Sequence, residues 1–156
     1  LTLLGDAGKG WVAVKLAYLL GQPLGLDGEG LAICGLAAFL GHLYPVFHKF
    51  KGGKGVATAA GILLAFNAWL GLATLATWIA IAFFFRYSSL AALVAAVFAP
   101  LYAFFLFGNA PILPAVIGMS ALLIWRHRSN IRKLLAGEES RIGSKRKAAA
   151  EGNQAG

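Results

Sequence analysis

Charged residues are scarce in this sequence. They make up 13% of the 156 residues, whereas hydrophobic residues make up 59%. Soluble domains carry about 25% charged residues. So few charges could not cover the surface of a soluble domain, and the excess of apolar side chains must face lipid. The composition predicts an all-α fold, a polytopic bundle of membrane-spanning helices.

Cysteine is nearly absent as well. The one cysteine, Cys34, excludes an intrachain disulfide and any C-x-x-C metal or redox motif. The sequence shows no cluster of Cys and His and no paired carboxylates with metal-ligand spacing, so it predicts no metal and no other cofactor. A signal-peptide pattern is also lacking. Because the chain starts with Leu1 instead of Met, we expect a further N-terminal stretch in the protein.

Apolar runs, broken by Gly, Pro or charged residues, predict about six membrane-spanning segments. They cover residues 10–20, 30–47, 56–68, 70–85, 89–107 and 111–125. The second and fifth approach the roughly 20 residues that a helix needs to cross a bilayer, whereas the first, third and sixth are short.

The basic residues fall on one side of this predicted topology. Thirteen of the 14 Lys and Arg residues lie in four segments: 1–9, 48–55, 86–88 and 126–147. The connections on the other side contain none: 21–29, 67–71 and 108–110. Because cytoplasmic loops are rich in Lys and Arg, both chain ends and this side of the bundle are predicted to be cytoplasmic. The charges punctuate apolar segments and form no continuous basic face, which argues against nucleic acid as a partner.

We divide the chain at residue 137. Residues 1–137 contain all the predicted spans and form the transmembrane domain. Residues 138–156 form a basic cytoplasmic tail that we expect to be disordered.

The stretch H-K-F-K-G-G-K-G-V-A-T, residues 48–58, places three glycines in four positions among lysines. Glycine permits a positive φ and lets backbone N–H groups approach an anion closely, and a helix N-terminus beside it favours phosphate. The stretch is not a Walker A loop, because Gly55 stands where that motif requires Ser or Thr. A basic turn that only fixes topology would not need the glycines. We therefore predict a phosphate-binding loop with the candidate residues Lys51, Gly52, Gly53, Lys54, Gly55 and Thr58.

Two further polar groups adjoin predicted spans on the same side. His42 precedes Pro45, which should end or kink the second span and place His42 about one turn inside it. A structural role and a role in substrate binding are both open for His42. Asp6 and Lys9 lie three residues apart before the first span, where Asp6 could cap the helix.

The remaining candidates flank the later spans. The motif R-Y-S-S, residues 86–89, is a short turn in which either serine could cap the next helix. After the last span, His127 and Asn130 are spaced i, i+3 and would share one face of a helix. A basic amphipathic helix on the membrane surface would explain the arginines of this region, but not His127, Asn130 and the later Glu139.

Four stretches carry motifs in a fixed order. They are G-D-x-x-K-G at 5–10, G-H-x-x-P-x-F with K-F-K-G-G-K-G-V-A-T at 41–58, R-Y-x-S-L at 86–90, and H-R-x-N-I-x-x-L-L-x-G-x-E at 127–139. Together they span nearly the whole chain, and the glycine–lysine run is the most specific of them. This set resembles the bacterial acyl-phosphate-dependent glycerol-3-phosphate acyltransferases, the PlsY family.

The resemblance implies a function and a fuller architecture. Members of the family join glycerol 3-phosphate to a fatty acyl group supplied as acyl phosphate, at the bacterial inner membrane, giving 1-acylglycerol 3-phosphate and inorganic phosphate. Seven helices are expected, with a helix and an S-G-N-x-G-A-T-N motif before Leu1. Two positions depart from the family pattern: Ala92 replaces a second serine, and Lys133 stands where arginine is common.

The resemblance, together with the residue types, also assigns roles. The glycines and lysines would bind phosphate oxygens and offset charge that grows in the transition state. The predicted catalytic residues are Lys54, His127, Asn130, Ser89 and Glu139. The predicted substrate-binding and phosphate-binding residues are Lys51, Gly52, Gly53, Gly55, Thr58, His42, Asp6, Lys9 and Arg86. Glu139 and Asp6 would orient cationic groups.

No residue stands out as an acyl-enzyme nucleophile. The sequence shows no Ser-His-Asp order and no H-x-x-x-x-D motif, since Phe47, Gly53 and Arg132 stand five positions after the three histidines. We therefore favour direct attack by the substrate hydroxyl, with the departing phosphate taking the proton. The predicted partners are the two substrates, membrane lipids and a peripheral enzyme that supplies acyl phosphate.

Two other classes of function are considered. A small anion transporter would also bind phosphate through lysines and glycines, but transporters usually bind near the membrane midplane and often contain repeats. Only Lys15 lies well inside a span, and no two halves of the sequence match. A structural membrane subunit would leave the glycine-rich loop unexplained.

Overall fold

A computed structural model describes residues 2–45 and 52–144 of the chain. Within these two stretches the regular structure is helical throughout, which confirms the predicted all-α fold. A short 3-10 turn, Gln22–Leu24, follows the first helix. The helices are α1 (Thr2–Gly21), α2 (Gly28–Leu43), α3 (Val56–Phe66), α4 (Ala68–Phe85), α5 (Ser88–Phe107), α6 (Ile112–Arg126) and α7 (Arg128–Leu135).

Helix α1 starts at Thr2, and the predicted start at residue 10 is wrong. The glycines in this stretch weaken a helix, but Leu3 and Leu4 extend its apolar character and an ion pair supports it. Lys9 Nζ lies 2.6 Å from Asp6 Oδ1, at the i, i+3 spacing that brings side chains together on a helix. Asp6 therefore lies inside α1 and does not cap it.

The outer surface of the bundle matches a lipid environment. Among the described residues, α4 and α5 are long and apolar enough to cross a membrane, with 18 and 20 residues. Helices α2, α3 and α6 are apolar but shorter. Phe83, Phe105 and Trp69 are 77%, 81% and 72% exposed. Aromatic side chains this exposed and this numerous are stable facing lipid and would be a liability in water.

The interior is packed through small residues that let helices approach closely. Gly61 of α3 lies against the backbone of Ala7 in α1, and Gly10 of α1 lies against the carbonyl of Thr58 in α3. Helix α5 buries a stripe of alanines: Ala91, Ala92, Ala95, Ala96, Ala99 and Ala103. Without a hydrophobic force between helices in lipid, close contact of this kind is a main source of attraction.

Consecutive long helices alternate in direction, so the polar motifs meet at one end of the bundle. This polar end contains the start of α1, the end of α2, residues 52–55 before α3, the α4–α5 connection and the α6–α7 junction. Side-chain hydrogen bonds join these parts. Helix α2 ends at Leu43, two residues before Pro45, as predicted. At the opposite end the caps are local: Asp27 accepts from Gly30 N–H, and Asn67 accepts from the N–H groups of Trp69 and Leu70.

Candidate active site

A chain of hydrogen bonds joins four of the predicted catalytic residues. Lys54 Nζ donates to Asn130 Oδ1 at 2.6 Å, and Asn130 Nδ2 donates to Glu139 Oε1 at 2.8 Å. Ser89 Oγ donates to the same carboxylate oxygen at 2.7 Å. The bonds link the loop before α3 to α5, α7 and the segment after α7. Residues separated by up to 76 positions in the sequence thus form one polar cluster.

Ser89 donates its hydroxyl hydrogen to Glu139 and does not cap α5. Helix α5 starts at Ser88 with Tyr87 as its N-cap, so the serine cap considered from the sequence is wrong. Ser89 is 7% exposed, and its hydroxyl donates to Glu139. A buried hydroxyl requires a partner, and the carboxylate supplies it.

Glu139 is held ionised by its neighbours. Burial alone would raise the pKa of its carboxyl, but hydrogen bonds from Ser89 and Asn130 and the positive charge of Lys54 lower it below its usual range. An ionised carboxylate accepts hydrogen bonds only. It therefore fixes the amide of Asn130, whose oxygen then faces Lys54.

His127 occupies the junction between α6 and α7. Its side chain is 2% exposed, and ring Nδ1 lies 2.8 Å from the carbonyl oxygen of Leu123. Because that carbonyl can only accept, Nδ1 carries the proton and Nε2 is left as an acceptor. Burial lowers the pKa of His127, and the charge of Lys54 adds to the effect, so the ring is neutral at pH 7.

The glycine loop, residues 52–55, is packed tightly against the end of α2. A Cβ at Gly52 would collide with the carbonyl oxygen of His42, and one at Gly53 would lie 2.6 Å from His42 Nε2. Gly55 adopts φ +85°, a left-handed conformation that favours glycine, before α3 starts at Val56. The predicted need for a positive φ is thus met at Gly55, whereas Gly52 and Gly53 are required by close approach.

A second polar group lies beside the loop. Lys9 of α1 lies 2.6 Å from Asp6 and 2.6 Å from His42 Nδ1. His42 is the residue whose ring contacts Gly53. The structure therefore brings Asp6, Lys9 and His42 together, and the carboxylate of Asp6 accepts a hydrogen bond from the ammonium of Lys9.

The glycine loop and α7 enclose a polar pocket of about 400 Å³. Its lining residues are Gly52, Gly53, Lys54, Arg126, Arg128, Ser129 and Arg132. Four of these residues are cationic, so the pocket suits a phosphorylated ligand. Sequence reasoning missed the last four residues as site residues, although the dense R-H-R-S run at the end of the last apolar segment signalled them.

The pocket lining does not include six of the predicted binding residues: Asp6, Lys9, His42, Gly55, Thr58 and Arg86. Thr58 is fully buried in the first turn of α3 and faces Gly10 of α1. Arg86 is used by the chain itself, since its guanidinium donates to the carbonyl of Ile142 at 2.9 Å. Lys51 lies outside the described residues.

The segment after α7 follows the polar end back to α5. Ile142 N–H donates to the carbonyl of Arg86 at 2.7 Å, and Arg141 Nε donates to Tyr87 Oη at 3.0 Å. Residues 138–144 of the predicted tail thus contact the transmembrane domain. The rest of the tail, 145–156, lies outside the described residues, and its disorder stays a prediction.

Metal ligands are not grouped in the described part of the chain. Within residues 2–45 and 52–144, no three His, Cys, Asp or Glu side chains could hold one ion. Three groups that could otherwise be metal ligands are bonded within the chain: Asp6 to Lys9, Glu139 to Ser89, and His127 to the carbonyl of Leu123. That the reaction needs no cofactor stays a prediction.

The fold and the pocket define a class: an integral membrane helix bundle with a cationic, glycine-lined site at one end. The family model for glycerol-3-phosphate acyltransferase matches residues 1–137. The glycerol-3-phosphate acyltransferase of Ralstonia nicotianae is 69% identical over 147 residues, covering 94% of this chain and 71% of that protein. That of Burkholderia multivorans is 66% identical over 155 residues, covering 98% and 71%. The chain belongs to the glycerol-3-phosphate acyltransferase family.

Solved structures agree with this membership. The crystal structure of PlsY, an integral membrane glycerol 3-phosphate acyltransferase, in its glycerol 3-phosphate form matches with a TM-score of 0.85 and 39% identity, covering 94% of this chain and 72% of that one. Its lysophosphatidic acid form matches with a TM-score of 0.83 and 40% identity, covering 91% and 71%. The resemblance read from the motifs is confirmed.

Proposed function

We propose that this acyltransferase moves a fatty acyl group from acyl phosphate to the 1-hydroxyl of glycerol 3-phosphate. The products are 1-acylglycerol 3-phosphate and inorganic phosphate. Family membership and the likeness to the two PlsY forms support the acceptor and product. The observation that carries the site is the hydrogen-bond chain Lys54–Asn130–Glu139–Ser89 beside the cationic pocket.

The reaction needs a place for charge that grows on a departing phosphate. The acceptor hydroxyl attacks the acyl carbonyl, a C–O bond forms, and the anhydride C–O bond breaks to release phosphate. The hydroxyl proton passes to that phosphate, so atoms and charge balance without an external base. Preorganised N–H groups and cations aimed at the leaving oxygens lower the barrier, and the glycine loop with Lys54 is the candidate for that role.

Hydrogen bonds among Asn130, Glu139 and Ser89 hold the ammonium of Lys54 in position. Its ammonium has three N–H donors, of which Asn130 takes one, so two are available to a substrate. Glu139 fixes Asn130, and Ser89 fixes Glu139. Buried His127 is close enough to Lys54 and Glu139 for their charges to affect its pKa, and its ring is held by the bond to the carbonyl of Leu123. In this account Lys54 contacts the phosphate, and Asn130, Glu139 and Ser89 hold it in position.

The polar end is proposed to face the cytoplasm of a bacterial cell. The basic residues support this orientation, because 13 of the 14 fall in segments assigned to that end. An enzyme that makes acyl phosphate at the same face is a candidate partner, since the donor carries an acyl chain and would pass along the membrane surface.

Cysteine labelling tests this orientation. In a Cys34→Ala background, single cysteines at positions 25 and 109 should react with an impermeant maleimide on intact cells, and cysteines at 52 and 145 should not. Permeabilised cells, in which all four should react, are the control. Labelling of position 52 from outside would overturn the orientation.

The donor is tested with purified protein that includes any residues encoded before Leu1. Labelled glycerol 3-phosphate should be acylated by acyl phosphate, without nucleotide, and at the same rate in the presence of a chelator. Activity that is lost with the chelator and restored by magnesium would contradict the proposal.

An uptake assay with the same protein in liposomes distinguishes acyl transfer from the alternative function, anion transport. Accumulation of labelled phosphate or glycerol 3-phosphate inside the vesicles, with no acylated product, would favour anion transport. Formation of 1-acylglycerol 3-phosphate without net uptake is the expected result.

A further inference from the structure

Arg126, the last residue of α6, holds the glycine loop by its backbone. Its Nη2 donates to the carbonyl oxygens of Gly52 and Gly53, at 2.9 and 3.2 Å. The same guanidinium lies over the ring of Tyr44, with 5.7 Å from Cζ to the ring centroid. Tyr44 is the C-cap residue that follows α2. One side chain therefore connects α2, the glycine loop and α6.

These contacts bear on how the pocket binds an anion. Carbonyl oxygens carry negative partial charge, and at the wall of the pocket they would repel a phosphate. Arg126 donates hydrogen bonds to two of these carbonyl oxygens, those of Gly52 and Gly53. The guanidinium therefore offsets their negative partial charge at the pocket wall and adds a positive charge there.

The conformation of the glycine loop must also be fixed by contacts from residues outside the loop. Glycine loses more conformational freedom on ordering than any other residue, so a loop with glycine at positions 52, 53 and 55 is poorly fixed by its own sequence. Arginine suits the task because its planar group can bond carbonyls at one edge while its face lies on an aromatic ring. A lysine ammonium supplies a point charge without that planar geometry.

We propose that Arg126, seated on Tyr44, is a positioning residue that holds the carbonyls of Gly52 and Gly53 and so presents the loop to a substrate phosphate. This inference rests on the proposed acyl transfer. It assigns a role to a residue outside the motifs that carried the family resemblance.

The test compares Arg126→Gln, Arg126→Lys and Tyr44→Leu in the acyl-phosphate assay, with KM for both substrates and kcat measured separately. A displaced loop should raise KM for at least one phosphorylated substrate about 10-fold in both arginine variants, with a smaller change in kcat. Tyr44→Leu should change the same KM in the same direction, and Tyr44→Phe, which keeps the ring, should restore it. Melting temperature in detergent shows whether each variant is folded.

Coupling between the two residues distinguishes a clamp from a nearby charge. The double variant Arg126→Gln, Tyr44→Leu should be no more defective than Arg126→Gln alone, because both changes release the same contact. Arg128→Gln, which removes a pocket charge that has no bond to the loop, should combine additively with Tyr44→Leu. Tyr44→Leu and Tyr44→Phe keep the test available if Arg126→Gln does not fold.

Two results would overturn the proposal: a normal KM in Arg126→Lys, or additive effects of Arg126→Gln and Tyr44→Leu. Either would mean that only positive charge at this position matters. If the unmodified protein forms no acylated product, the proposed function fails instead, so the two failures are distinguishable.

Discussion

Lys54→Ala should lower kcat/KM for acyl transfer by about 100-fold or more. The substitution removes the ammonium that lies 2.6 Å from Asn130 at the edge of the pocket. It takes away charge stabilisation that the departing phosphate requires most in the transition state, so kcat should fall along with kcat/KM. Steady-state rates with varied acyl phosphate measure both.

Lys15→Ala is the matched control for that variant. Lys15 lies on α1, where its ammonium is 5.9 Å from the centre of the Trp11 ring, and it does not line the pocket. We expect a change of at most about twofold. An equal fall in kcat/KM in the two variants would mean that both lysines act through general membrane electrostatics. It would contradict a specific phosphate site at Lys54.

Gly53→Ala should nearly abolish activity while the protein still inserts into the membrane. The added Cβ would lie 2.6 Å from His42 Nε2, so either the ring or the loop must move. Gly52→Ala should be at least as severe, because its Cβ meets the backbone of α2, which cannot turn aside. Turnover per molecule of purified protein is the quantity to compare.

Gly41→Ala is the control for the loop glycines. It lies in α2 one residue before His42, and a Cβ there would meet no atom within 4 Å. Alanine is also the better helix former, so stability should not suffer. Near-normal turnover in Gly53→Ala would show that the close packing of the loop is not needed for catalysis.

Much of the site could be predicted because its residues are unusual for their setting. Charged and amide side chains are costly within a membrane, so the polar stretches that contain Lys54, Asn130 and Glu139 stand out beside the long apolar segments. The topology then requires that alternate helix ends meet, and the structure places these residues in one hydrogen-bond chain. The span boundaries followed from apolar run length, except at the start of α1 and at the end of α2, where the predicted span 30–47 extends beyond the helix end at Leu43.

The errors come from contacts that no local pattern encodes. Helix α1 continues through its glycines because Asp6 and Lys9 pair across one turn and α3 packs against its small residues. From the sequence alone, Ser89 could equally cap α5 or bond another side chain. The bond to Glu139, 50 residues later in the chain, decides between these two roles. Arg86 was predicted to bind phosphate, but its guanidinium donates to the carbonyl of Ile142 in the segment after α7. Arg126 was missed because it looked like one more basic residue marking the membrane boundary.

The most direct measurement of the central claim is chemical rescue of position 54. In a Cys34→Ala background, Lys54→Cys can be alkylated with 2-bromoethylamine, which rebuilds a lysine-like cation at a side chain that is exposed in the structure. Formation of 1-acylglycerol 3-phosphate from acyl phosphate should be about 100-fold low before treatment and recover to within about 10-fold of the parent afterwards. Neutral alkylation with iodoacetamide should restore nothing. Full activity of the untreated Lys54→Cys protein, or equal recovery with the neutral reagent, would contradict a phosphate-stabilising cation at this site.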